Sequence, residues 1–101
     1  MAKRIVWTYK ARLDRFSILK YWAKRNKSKI YSSRLNELFV QAVLTIRKYP
    51  RIGKKTDIER VRVKIVRDYL IFYKIVDQEI IILTIIDSRR DPNLITKRIS
   101  K

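Results

Sequence analysis

The chain has no cysteine, no histidine, a single glycine, two prolines, and only 9 acidic residues against 26 Lys and Arg. Without cysteine there is no disulfide framework, no thiol nucleophile and no thiolate zinc site, and nothing points to an oxidising compartment. Without histidine there is no Ser/His/Asp triad, no imidazole base and no His-ligated metal. Nine scattered carboxylates are a poor basis for a two-metal site, so no metal and no other cofactor is expected. Any proton transfer would have to come from Lys, Arg, Tyr, a carboxylate or the substrate itself. Long apolar segments are also missing. The start MAKRIVWTYK has no signal-peptide core, and the longest apolar run, Ile80 to Ile86, is far short of a membrane span. A cytoplasmic protein with no membrane role is expected.

What is present is a foldable, strongly positive chain. Its 101 residues suit one domain, taken as residues 1–101, and 47% hydrophobic content with 11% aromatics excludes disorder in spite of a net charge of +17. The charge is not a terminal tail: residues 1–50 hold 13 basic and 2 acidic side chains, and residues 51–101 hold 13 and 7. The folded surface itself is therefore positive, which attracts polyanions through counterion release and long-range steering. An anionic partner is expected.

Apolar spacing divides the chain in two near Pro50. Ile5–Trp7 reads as a short strand. From Lys10 to about Asn26, residues Leu13, Phe16, Leu19, Trp22 and Ala23 recur at steps of three and four and predict a helix with one core-facing stripe. Asn26-Lys27-Ser28-Lys29 interrupts that stripe, with Ser28 a candidate helix cap. Tyr31, Leu35, Leu38, Phe39, Ala42, Val43 and Ile46 then predict a second helix, which should end near Lys48 because Pro50 disfavours helical geometry at Tyr49. Residues 51–60, which hold the only glycine, read as a loop. Val61–Ile65, Tyr69–Val76 and Glu79–Ile86 read as three consecutive antiparallel strands, the last apolar on both faces and so placed inside a covered sheet. On that reading Ile82 and Leu83 are both buried. The expected architecture is α+β, in the order β-α-α-β-β-β, with a helical hairpin on one face of a small sheet.

Candidate functional residues follow from the charge and from this arrangement. Arg62 and Lys64, two apart on a strand, project to one side about 7 Å from each other, near the spacing of adjacent phosphates. Arg89 and Arg90 follow the last strand, where they could converge with a neighbouring strand's cations on one phosphate and stabilise its developing charge. The competing reading is two separate solvated clusters. Tyr69 and Tyr73 share a sheet face, with Phe72 on the other. Tyr73 beside arginine is a candidate for stacking on bases, against the alternative that both tyrosines pack in the core with satisfied hydroxyls. No phosphate loop, dinucleotide fingerprint or metal-ligand spacing is present.

These segments together resemble the RelE/ParE superfamily of toxins from bacterial type II toxin-antitoxin modules. The resemblance rests on Ile5-Val6-Trp7-Thr8-Tyr9-Lys10-Ala11, Tyr49-Pro50-Arg51-Ile52-Gly53, Val61-Arg62-Val63-Lys64, Tyr69-Leu70-Ile71-Phe72-Tyr73 and Ile85-Ile86-Asp87-Ser88-Arg89-Arg90-Asp91-Pro92, and spans nearly the whole chain. It implies a growth-inhibiting toxin, of the kind linked to plasmid stabilisation, held in a hetero-oligomer by an antitoxin whose acidic or amphipathic segment wraps it. RelE-like members cut mRNA on the ribosome; ParE-like members are not nucleases and poison DNA gyrase. A RelE-like mechanism would assign catalysis to Arg62, Lys64 and Arg90. Two departures favour the ParE-like side: Leu70 stands where RelE has a catalytic arginine, and the region around Thr96 has no tyrosine. The missing histidine also excludes the acid/base arrangement of other ribonucleases in the superfamily. A basic nucleic-acid-binding module without toxicity is the alternative of another class.

Overall fold

A computed structural model describes residues 3–89. The strands are β1 (Arg4–Trp7), β2 (Lys54–Lys55), β3 (Val61–Val66), β4 (Tyr69–Val76) and β5 (Glu79–Asp87), and the helices are α1 (Tyr9–Arg25) and α2 (Ile30–Lys48). One five-stranded sheet has the order β1-β5-β4-β3-β2. β1 runs parallel to β5, while β2, β3, β4 and β5 pair antiparallel in sequence order. The fold is thus the expected α+β arrangement with β3-β4-β5 as a meander, and β5 is an interior strand as its two-sided apolar pattern required. One element was not foreseen: the loop of residues 51–60 contains β2, a two-residue edge strand that pairs Lys54 with Val63 and Lys55 with Arg62.

Local chemistry accounts for the helix ends. Thr8 caps α1 by accepting from the Ala11 N–H, and its hydroxyl also reaches the carbonyls of Ile82 and Leu83, tying the helix start to β5. α2 stops at Lys48, two residues before Pro50, as expected. Its N-cap is Lys29 rather than Ser28, whose Oγ instead accepts from the Ile30 N–H. The two hairpins turn through Arg67-Asp68 and Asp77-Gln78, and each places its first residue at positive φ. The one glycine is spent elsewhere.

The helices cover a single face of the sheet. Leu35, Phe39, Ala42, Val43 and Ile46 of α2 pack there with Ile71, Tyr73, Ile80, Ile82 and Ile85. The opposite face carries a smaller cluster of Val61, Phe72 and Ile86, flanked by Val63, Leu70 and Leu83. Ile82 is buried as expected, but Leu83 is half-buried. The register slips between Phe72 and Tyr73, which pair with Thr84 and Ile82, so Leu83 is bulged out of the ladder on the face without helices.

Candidate functional site

Arg62 and Tyr73 are register partners on β3 and β4 and lie on the helix-covered face, since Val61 and Val63 belong to the opposite cluster. Tyr73 is fully buried. Its hydroxyl donates to the Pro50 carbonyl at 2.7 Å and accepts from the Gly53 N–H at 2.9 Å. Burial pushes this hydroxyl above its ordinary value of 10, so it stays a donor at neutral pH. Arg62 donates through Nη1 to the carbonyls of Gly53 at 2.8 Å and Arg51 at 3.2 Å. The two side chains therefore clamp residues 50–53 against the sheet. A Cβ on Gly53 would meet the Tyr73 hydroxyl oxygen at 2.6 Å, and this close approach is why the glycine is there.

This placement corrects the reading of Tyr73 as a base-stacking residue: a fully buried ring offers no face to a nucleotide. The core-packing alternative holds for Tyr69 as well. It is buried, and its hydroxyl accepts from the Trp22 indole N–H at 2.7 Å. Lys64 lies on the same face as Arg62, opposite Ile71, and makes no hydrogen bond or ion pair among the described residues.

The other end of the candidate set is held apart. Arg89 is exposed and forms a forked pair with its near neighbour Asp87, Nε to Oδ1 at 3.0 Å and Nη2 to Oδ2 at 2.7 Å. That hydrogen-bonded carboxylate raises the guanidinium pKa above its usual range. Asp87 pairs with Tyr69, four residues along β4 from the Arg62 partner Tyr73. At strand dimensions this is about 13 Å along the sheet and about 10 Å across two strands. Arg62 and Lys64 share a face, whereas the Arg89 guanidinium is engaged by Asp87. Arg90 lies outside the described residues.

The largest unforeseen feature is on α1. The sequence placed Leu13 and Phe16 in the core stripe, but they are 46% and 62% exposed, in line with Tyr9 at 70%. Leu19 and Trp22 of the expected stripe do pack against the core, where the inward face is completed by Ala11, Asp14, Arg15 and Ile18. Asp14 accepts from the Thr84 hydroxyl and from the Ile85 N–H at 3.1 Å, beside the β5 bulge, and pairs with Lys10. Arg15 donates to Asn36 Oδ1 at 2.8 Å with its guanidinium over the Trp7 ring. Polar anchors therefore turn the helix, and an apolar stripe of Tyr9, Leu13 and Phe16 faces outward, continued by Lys20 over the Phe16 ring. The available signal was that Asp14 is one of only two acids in the first fifty residues.

Among the described residues no group of three or more potential ligands could hold a metal ion. Among the same residues no helix is long and apolar enough to cross a membrane. The family model described as the ParE toxin of the type II toxin-antitoxin system parDE matches residues 5–92. Comparison with curated protein sequences gives no match. Among solved structures, the chromosomal ParDE toxin-antitoxin system from P. aeruginosa is similar in fold, with a TM-score of 0.74 and 18% identity, covering 85% of this chain and 96% of that one.

Proposed function

The chain belongs to the ParE toxin family of type II toxin-antitoxin systems, and we propose from that premise that its target is DNA gyrase rather than ribosome-bound mRNA. The carrying observation is the use made of Arg62. A nuclease would need this guanidinium for a scissile phosphate, whereas here it holds the Arg51 and Gly53 carbonyls. Tyr73 is buried, Arg89 is paired with Asp87, and Leu70 occupies the strand position next to Ile71. On this reading the protein acts by binding, and Lys64 is the member of the set left to touch a target.

Membership of a toxin-antitoxin family implies a cognate antitoxin. The outward stripe Tyr9-Leu13-Phe16 is its proposed apolar anchor, because three large exposed side chains at helical spacing match the apolar face of an amphipathic helix. Arg12 and Lys20 beside the stripe suit acidic residues on that helix. Induction of the chain alone should arrest growth. Purified protein should increase gyrase-dependent DNA breakage and leave ribosome-bound mRNA intact. Codon-positioned mRNA cleavage that Arg62→Ala abolishes would overturn the gyrase reading. Normal growth on induction would leave only a nucleic-acid-binding module, marked by salt-dependent binding that Lys64→Ala weakens.

A further inference from the structure

A second surface lies at the far end of α2. The segment after the helix folds back in a tight turn, with the Ile52 N–H on the Tyr49 carbonyl at 2.9 Å, and borders a cleft of about 410 Å³. Its walls are Tyr49, Ile52 and Ile75, and Lys3, Lys48 and Arg51 stand around it. Two of the wall's carbonyls are already engaged, Pro50 by Tyr73 and Arg51 by Arg62. The opposite side is fixed as well: Arg47 Nε donates to the Lys3 carbonyl at 3.1 Å and Lys3 Nζ to the Asp77 carbonyl at 2.6 Å. The cleft is therefore preorganised by the clamp, and no loop has to be ordered when it fills.

Its chemistry is apolar inside and cationic outside. Ile52 and Tyr49 are exposed large hydrophobic residues. The described residues form three ion pairs, none of which includes Lys3, Lys48 or Arg51. No carboxylate lines the cleft. We infer that the cleft takes an acidic segment of the antitoxin that inserts an aliphatic side chain between Ile52 and Ile75 and sets carboxylates against Lys48 and Arg51. A nucleic acid suits it less well. Phosphates would meet the cations, but Tyr49 is the one aromatic ring in the lining and the Lys48 ammonium already lies 5.5 Å from its centre. The choice of occupant rests on the reading that an antitoxin holds this chain. With the α1 stripe the cleft gives two anchors for one partner, so the second contact forms at high effective concentration.

The probe is a short synthetic, fluorescein-labelled peptide of Asp and Glu with two central leucines, titrated into the full chain at physiological salt and read by anisotropy. Replacing both leucines by serine should weaken binding by about tenfold or more, since each buried aliphatic side chain is worth about 1.5–3 kcal/mol. This arm needs no protein variant. Ile52→Asp should do the same, and Lys48→Glu with Arg51→Glu should weaken binding far more than the charge-matched pair Lys24→Glu with Lys27→Glu on the α1 end. Amide shifts in the bound chain should cluster at residues 48–52 and Ile75. Equal binding of the serine peptide, equal loss in the charge-matched control, or shifts at these residues with a single-stranded oligonucleotide but not the peptide would each overturn the inference. Growth arrest on induction reads the toxin assignment separately: arrest without peptide binding removes the cleft and keeps the toxin, whereas binding without arrest keeps the cleft and removes the toxin.

Discussion

The two helices have similar lengths, 17 and 19 residues, and in sequence each carries apolar residues at steps of three and four. In the fold they are used differently. α2 buries Ser32, Leu35, Phe39, Ala42, Val43 and Ile46, whereas α1 buries Ala11 alone and leaves Tyr9, Leu13, Phe16 and Tyr21 exposed. α2 is held by its apolar face. α1 packs only the half-buried Ile18, Leu19 and Trp22 against the core and adds directional contacts: Asp14 on β5, Arg15 on Asn36 and Trp22 on Tyr69. A helix anchored partly through polar groups can turn apolar residues outward without losing its place. Apolar periodicity by itself does not say which of the two designs a helix follows.

The sharpest way to break this comparison is a pair of truncations. Phe39→Ala, in the α2 core, should cost about 3–5 kcal/mol, and Phe16→Ala, on α1, should change stability by less than about 0.5 kcal/mol, both read from urea unfolding. Phe16→Ala should instead weaken antitoxin binding. Equal destabilisation would mean that Phe16 is a core residue. The acids make a second pair, one on each helix. Asp14→Ala should cost about 1–3 kcal/mol, because the Thr84 hydroxyl and Ile85 N–H lose their acceptor, and the exposed Glu37→Ala should cost less than about 0.5 kcal/mol.

Two smaller effects concern the tyrosines that serve each helix. Tyr73→Phe leaves the Gly53 N–H and Pro50 carbonyl without their partner, for about 1–2 kcal/mol, and loosens the segment after α2. Tyr69 does the corresponding work for α1 through Trp22. Burial raises the pKa of both hydroxyls above 10. The unfolded chain ionises first, so their stability contribution is complete below pH 10 and declines as pH rises above it. Unfolding followed from neutral to strongly alkaline pH should show this decline, and Tyr73→Phe should make it shallower. An unchanged slope in that variant would assign the alkaline dependence to Tyr69 and the α1 side.

Much of the fold was legible because it is written in local patterns. Pro50 marked the end of α2, strict alternation in Val61–Ile65 marked β3, and the two-sided apolar run at Ile80–Ile86 marked an interior strand. The common face of Arg62 and Lys64 followed from the pleat alone. The side of the sheet they occupy did not, because alternation carries no information about where the helices dock. The choice between stacking and core packing for Tyr73 was open for the same reason: an aromatic on a strand reads alike whether a helix covers it or solvent does. Gly53 signalled a loop, but its cause is a tyrosine hydroxyl twenty residues away. The phase of α1 was hidden because two of its inward positions, Asp14 and Arg15, are polar.

By itself the sequence determined what the molecule is made to meet. Missing histidine and cysteine removed most catalytic chemistry, and an excess of cations spread over both halves set the expectation of an anionic partner, since charge and composition do not depend on how the chain is folded. Tertiary structure alone decided which side chains are left accessible. Burial and long-range hydrogen bonds depend on which elements become neighbours. They withdrew Arg62 and Tyr73 into a clamp, turned Leu13 and Phe16 outward, and shaped the cleft beside Ile52.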